Sequence, residues 1–410
     1  MIPTPRRIHV EKQRLPMQYV VFLMALFLSK LGDSLFTLTI PWISYQLTGS
    51  AVVMGSLFAI QVLPVVAFGP VAGIVIDRLD RKRLLMIADV AAMILVGLIP
   101  ALHFAELLQL WHLYAISFLL SVFSLVFEVT TLSIIPQLAG SQLTKANAGY
   151  QFALQASLIV GPMLAGLLLA LLNGYTVLWL DAGSFLFTLG AVWLLPLTRQ
   201  PRASRGGWLE EWRSLWGDMM EGFRWLQQNR LNLSLSLQAM VGNFGTSAVL
   251  AVLMYYLLSV LHLTEEQSGM TYALFGIGGL LGSLVAIPLD RRFQRGTLIV
   301  GLLVLGTICA MLPYVSIYWL MPGISGGLVT LCNVAWNTIV ASIRQETVPS
   351  QMLGRVLAFS RVLTRISMPL GAMVGTAIVS YEPVWIFALI AGTKAVEVMI
   401  ALFSPIRKCD

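Results

Sequence analysis

Twelve stretches of about twenty apolar residues follow one another between residues 17 and 404 with only short breaks. No other feature constrains the chain as much. A helix of that length crosses the hydrocarbon layer and satisfies its own backbone hydrogen bonds there, which water-free lipid demands. The residues are rich in Leu, Ala, Val and Gly and lack the dyad alternation of a membrane barrel. The chain is 58% hydrophobic and only 11% charged, against about 25% charged for a water-soluble domain. Lipid must therefore be its solvent. The expected spans are 17–47, 51–76, 84–104, 110–135, 148–172, 177–197, 231–261, 269–289, 297–315, 319–343, 358–380 and 384–404. The first carries Lys30 and Asp33, has no small-residue cleavage site, and reads as a retained helix.

The net charge of +7 is distributed by topology and does not mark a nucleic-acid partner. Alternate loops carry Arg78, Arg81, Lys82, Arg83, Lys145, Arg291, Arg292, Arg295, Arg344 and Arg355. The intervening loops carry Glu106, Glu265, Glu266 and Glu382 and no Lys or Arg. The positive-inside rule then places both termini in the cytoplasm of a cell membrane. Three cysteines, two of them inside apolar runs, suggest no disulfide framework.

One long break separates the sixth and seventh spans. It opens with a Pro/Arg/Ser/Gly stretch, and Trp208, Trp212 and Trp216 then recur four apart beside Met219, Phe223 and Leu226. A helix with this stripe suits the membrane interface or the surface between two halves. The expected organisation is a six-helix bundle over 1–198, a linker with an amphipathic helix over 199–230, and a second six-helix bundle over 231–410. The halves echo each other. Gly73-Ile-Val-Ile-Asp77-Arg78 ends the second span as Ile287-Pro-Leu-Asp290-Arg291 ends the eighth. Gly161-Pro162 with Gly166 in the fifth matches Pro369-Leu-Gly371 with Gly375 in the eleventh. Parallel six-span repeats build transporters whose substrate site lies between the halves near the midplane.

Those residues carry a family resemblance. Gly73-x-x-x-Asp77-Arg78-x-x-Arg81-Lys82 resembles the loop between helices two and three of the major facilitator superfamily, with Asp80 where glycine is common. The resemblance implies a cytoplasmic gate made of Gly73, Asp77, Arg78, Arg81 and Lys82, with Asp89 assigned to the same gate. Gly161, Pro162 and Gly166 are similar to the Gly-Pro element of helix five in exporter branches, although its upstream glycines are missing. Ile135-Pro136 with Lys145-Ala146-Asn147, Glu221-Gly222-Phe223-Arg224-Trp225, and Val348-Pro349 with Gly354-Arg355 together resemble the drug:proton antiporter branch that holds macrolide-efflux and enterobactin-exporter proteins. Residues 111–135 lack the helix-four arginine of several other drug antiporters, so no relay built on it is carried over.

The resemblance implies two pseudo-symmetric bundles whose helices one, four, seven and ten line a central cavity. Ionisable residues inside a bilayer are costly and mark function by default. Asp33 and Glu128 are the expected proton-coupling or cation-binding groups. Two blander readings stand beside them: Asp33 pairs with Lys30 three residues earlier, and Glu128 pairs with Arg81 in the gate. Asp181 is expected to be structural, and Lys394 with Glu397 a mutual pair. The expected cavity residues are Gln151, Gln155, Gln238, Asn243, Asn333, Trp336 and Asn337, with interhelical hydrogen bonding as their alternative use.

No P-loop, metal-ligand spacing or Ser/His/Asp set occurs, so neither an enzyme nor a bound cofactor or metal is expected. The expected function is export of small amphipathic or lipophilic compounds, cationic or neutral, by alternating access in exchange for protons. The protein would act as a monomer in a bacterial membrane, with the bilayer, the substrate and protons as its partners. Export of a dedicated siderophore or metabolite, lipid flipping, and a non-transporting sensor are the competing readings.

Overall fold

The structure, a computed structural model, describes residues 15–139, 142–197, 208–315 and 318–409. Twelve of its helices are long and apolar enough to cross a membrane, and the described residues contain no strand. In the first half these are α1 (Met17–Thr48), α2 (Ala51–Arg78), α3 (Arg81–Phe104), α4 (Leu110–Ala139), α5 (Leu143–Leu171) and α6 (Gly174–Leu194). The linker helix α7 spans Trp208–Gln228. The second half holds α8 (Arg230–Tyr255), α9 (Glu265–Arg292), α10 (Arg295–Ala310), the short α11 (Leu312–Val315), α12 (Met321–Thr347), α13 (Ser350–Tyr381) and α14 (Trp385–Leu402).

Local chemistry sets the boundaries. Ser50, Asp80, Asn173 and Asn229 each accept a hydrogen bond from a backbone N–H in the first turn of the helix that follows. Thr264 and Gln267 form a reciprocal capping box at the start of α9. Gly49 ends α1 at φ 61°, the left-handed geometry that glycine adopts without strain. Some spans differ in detail from the expected helices. The seventh continues beyond α8 as a π-helical turn over Tyr256–Val260. The eleventh begins eight residues earlier than its apolar run, at Ser350 against 358. The polar segment between passes into the helix because it faces the protein interior and α7, where hydropathy does not report on structure.

Within the first half α1 packs on α5 and α6, and α3 on α4 and α6. Within the second, α8 packs on α13 and α14, and α12 on α9 and α10. The halves meet through α5 against α9 and α2 against α13. These contacts lie at the end that carries the acidic loops. Gly166 and Gly269 oppose each other backbone to backbone, so a Cβ on either would strike the other's carbonyl. Gly55 leaves room for Thr376. The Ser259 hydroxyl donates to the Tyr45 hydroxyl at 2.7 Å, and the Tyr45 ring meets Tyr255 edge-on.

The buried core has the same arrangement. One apolar cluster runs through both halves at this end, from Leu35, Trp42 and Met54 to Val252, Tyr272 and Val379. Towards the basic end the core divides. Tyr19, Phe22, Leu85, Ile134 and Val192 belong to the first half, and Leu235, Ile299, Trp336 and Ile339 to the second. Two halves joined at one end and separately cored at the other enclose a space between them. The outer faces keep large apolar side chains such as Ile94, Phe187, Trp193 and Leu284 more than half exposed, as lipid contact requires.

Helix α7 docks on the basic end of α13. Gly222 lets α7 approach the Arg355 backbone, Phe223 meets Phe359 with ring centroids 4.9 Å apart, and Leu226 is buried. Arg355 pairs with Asp218 at 2.9 Å and with Glu221 at 2.5 Å. Of the expected tryptophan stripe, Trp216 is exposed, and the side chains of Trp208 and Trp212 lie outside the described residues.

Candidate functional site

The space between the halves is a cavity of about 1140 Å³. Its lining runs from Tyr272, Phe275 and Val329 beneath the closed end to Arg344, Leu353 and Leu357 at the basic end. The described residues of the second half supply most of it, from α8, α9, α12, α13 and α14. The first half contributes Ser34, Thr37, Leu38, Leu158 and Pro162. Most of the wall's surface is apolar, and many of its lining side chains are polar or charged.

Gln238, Asn243, Asn333, Trp336 and Asn337 line this cavity. Several also hold helices together. Gln238 Nε2 donates to the Glu397 carbonyl at 3.0 Å, and Asn243 Nδ2 donates to the Thr364 carbonyl at 3.2 Å. Gln238 Oε1 and Trp336 Nε1 are buried without a hydrogen-bond partner. Gln151 is exposed on α5 and is not among the described lining residues, and the Gln155 side chain lies outside the described residues.

Lys394 and Glu397 pair at 2.7 Å, and each side chain is only 3% exposed. The pair also lines the cavity, which sequence spacing did not indicate. Lys394 Nζ donates to Asn333 Oδ1 at 2.7 Å, tying α14 to α12. Gly242 on α8 leaves the room that the Glu397 carboxylate occupies. Arg344 was also missed, because near a helix end it read as ordinary loop charge. Its Nη2 donates to Ser236 Oγ at 3.1 Å, and Ser236 and Ser360 share a hydrogen bond at 2.9 Å.

A second polar centre lies inside the first half. Lys30 Nζ pairs with Asp33 Oδ2 at 2.6 Å on α1. Both line a narrow cavity of about 10 Å³ with Ser29, Asp89, Ser124 and Phe185, room for about one water. Asp89 is 3% exposed and stands within charge-interaction range of Lys30 and Asp33. Asp181 is fully buried on α6, against Gly32 and beside Ser184, with neither carboxylate oxygen hydrogen-bonded. It also interacts electrostatically with Asp33 and Lys30. The sequence reading divided these acids among coupling, gate and scaffold, whereas the structure gathers them around one lysine. Glu128 is half-buried on α4, within charge range of Lys30 and Tyr150, and lines neither cavity among the described residues.

The side chains of Gly73, Asp77 and Arg78 lie outside the described residues. Of the remaining gate residues, Arg81 donates to the Ser133 carbonyl of α4 at 3.1 Å. Lys82 donates to the Trp193 and Leu195 carbonyls at 2.7 and 2.9 Å, capping the C-terminus of α6. Gly161 packs against Ser34 of α1 where a Cβ would not fit, Pro162 lines the large cavity, and Gly166 makes the contact with Gly269.

Comparison with known proteins places this geometry in context. The Major Facilitator Superfamily model matches residues 22–372. The chain is 25% identical to the multidrug efflux pump Tap of Mycolicibacterium fortuitum over 362 residues, covering 86% of this chain and 87% of that protein. It is 26% identical to macrolide efflux protein A of Streptococcus pyogenes over 376 residues, covering 88% and 90%. It is 28% identical to the MFS-type transporter YfiS of Bacillus subtilis over 397 residues, covering 93% and 91%. Among solved structures, the nucleoside transporter NupG superposes with a TM-score of 0.68 at 13% identity, covering 94% of this chain and 98% of that one. A bacterial homologue of the iron transporter ferroportin in its inward-facing state gives 0.69 at 18%, covering 95% and 99%. Twelve spans, an internal repeat and a cavity between two halves, matched by a family model over most of the sequence, make this chain a member of the major facilitator superfamily.

Proposed function

We propose that the protein is a secondary active exporter that moves small amphipathic compounds out of the cell by alternating access, in exchange for protons. The observation that supports it most is the cavity of about 1140 Å³, closed at one end by the Gly166–Gly269 contact and lined down to the basic end of the bundle. With basic loops on the cytoplasmic side, this is the state that loads cargo from inside the cell. Efflux relatives that align over most of the chain support the direction of transport. The protein acts as a monomer, its functional units being the bundles 1–198 and 231–410 joined by the linker 199–230.

The first-half acids are the coupling groups in this reading. Asp33 is partly exposed and already paired with Lys30. A proton taken up by Asp33 would release Lys30 and change the charge balance around Asp89 and Asp181, and so favour one facing state over the other. Coupling follows if cargo and proton each stabilise a different state. The test is dye flux in proteoliposomes under an imposed proton gradient, with wild type beside Asp33→Asn. Flux should collapse when the gradient is dissipated and fall at least tenfold in the variant. Gradient-driven flux unchanged in Asp33→Asn would move coupling away from α1.

A further inference from the structure

We propose that the cargo carries an oxyanion, a carboxylate, sulfonate or phosphate on an apolar body, and that Arg344 with Arg361 receives it. The inference deepens the export reading and rests on it. The sequence favours cationic or neutral cargo, since only Lys30 is central, with Arg361 and Arg365 near the cytoplasmic end of the eleventh span. The structure places Lys30 and Asp33 in the separate small cavity of the first half and surrounds the large one with different charges.

Four charged residues are among the described lining of the large cavity: Arg344, Arg361, Lys394 and Glu397. Glu397 is the only carboxylate of the four, and it is committed to Lys394 at 2.7 Å. The two arginines have no acidic partner among the described residues. Several cations elsewhere in the fold are held by acids. Arg295 holds Asp290 and Glu346, Arg355 holds Asp218 and Glu221, and Lys30 holds Asp33. Ordinary positive-inside charge requires a basic residue near a helix end, not one directed into the space between the halves.

Arg344 is also fixed in place. It is half-buried, and its hydrogen bond to Ser236, itself bonded to Ser360, anchors one nitrogen across α12, α8 and α13. A guanidinium has five N–H donors. The rest of the fork is available to the two oxygens of a carboxylate or phosphate, the geometry that arginine recognises bidentately. Beyond it lie Tyr272, Phe275, Val329 and Trp336, an apolar wall suited to the cargo body. Organic cations would meet two arginines without an acidic partner and no free carboxylate among the described lining residues.

The test uses two dyes on one xanthene scaffold, anionic fluorescein and cationic rhodamine 123. Binding is read by fluorescence anisotropy to the purified full chain in detergent. Wild type should bind fluorescein at least tenfold more tightly than rhodamine 123. Arg344→Gln should lose about tenfold for fluorescein and nothing for rhodamine 123. Arg344→Lys, which keeps the charge without the fork, should fall between, and Arg361→Gln provides an independent variant should Arg344 prove necessary for folding. Displacement of bound fluorescein by short-chain phosphatidic acid would identify a phospholipid headgroup as the oxyanion source, and failure to displace would identify a free organic acid; both retain the inference. Equal or tighter rhodamine 123 binding, binding of neither dye, or fluorescein affinity unchanged in the Arg344→Gln/Arg361→Gln double variant would overturn it. Gradient-driven flux of rhodamine 123 but not fluorescein would leave export standing and remove this inference alone. Absence of gradient-driven flux for any dye, with fluorescein still bound through Arg344, would remove the export reading instead.

Discussion

The Lys394–Glu397 pair offers the sharpest test of how the second half is held together. Both side chains are 3% exposed, at 2.7 Å from each other, and Lys394 also donates to Asn333. Glu397→Gln keeps the shape and the fit against Gly242 but removes the countercharge. Breaking one side of a buried pair typically costs about 3–5 kcal/mol, because the remaining charge stays buried without compensation. Lysine in water gives up its proton at pH 7 for about 4–5 kcal/mol, which caps the penalty near the same figure. The Asn333 amide oxygen softens it, so the expected loss is about 3 kcal/mol. Replacing both residues, as Lys394→Met with Glu397→Leu, removes the charges together. Such a swap is often neutral or better. Thermal unfolding of the purified protein in detergent, followed by tryptophan fluorescence, should therefore rank wild type and double variant close together, with Glu397→Gln well below both. A loss under about 1 kcal/mol for Glu397→Gln, or a double variant no better than the single one, would refute the reasoning.

Two further perturbations address the other contacts. Gly269→Val places a side chain against the Gly166 backbone, which cannot move aside as a flexible side chain can. It should separate α5 from α9 and open the closed end. In a cysteine-free background, an impermeant maleimide applied from that side should label Thr246→Cys in the cavity severalfold faster; unchanged labelling would mean that this contact does not close the transporter. At the linker, Arg355→Ala should cost under about 1 kcal/mol, because its pairs with Asp218 and Glu221 are solvent-screened. Gly222→Leu should cost about 1–3 kcal/mol by forcing α7 off the Arg355 backbone. Limited proteolysis of the linker would report both, and equal cleavage of the two variants would contradict this ranking.

The features that lipid imposes one helix at a time are legible in the sequence. Each span had to be apolar on its own, so the twelve spans were legible from composition and length. The Gly-Pro element of the fifth span was legible, but the partner of Gly166 was not, because Gly269 lies in the other half and no local pattern links the two. Polar residues were found wherever they interrupted an apolar run, as with Gln238, Asn333 and Asp33. Their grouping was not, since it depends on which faces of α1, α3 and α6 turn together. Asp89 and Asp181 were thus separated from Lys30. Arg344 shows the reverse limit: a basic residue near a helix end is expected on topological grounds alone, so its inward direction left no trace in the sequence.

The volume between the halves bears on how competing compounds would behave. Drug-sized ligands occupy pockets of about 300–1000 Å³, and this chamber holds about 1140 Å³. A small guest therefore fills only part of it, leaving a vestibule that solvent or a second guest shares. Two guests lodged together relate as co-occupants, not as rivals for one seat. Inhibition between small compounds would then level off at a plateau that added inhibitor does not lower. A bulky macrocycle, filling the whole chamber, would displace both and drive flux of either to zero.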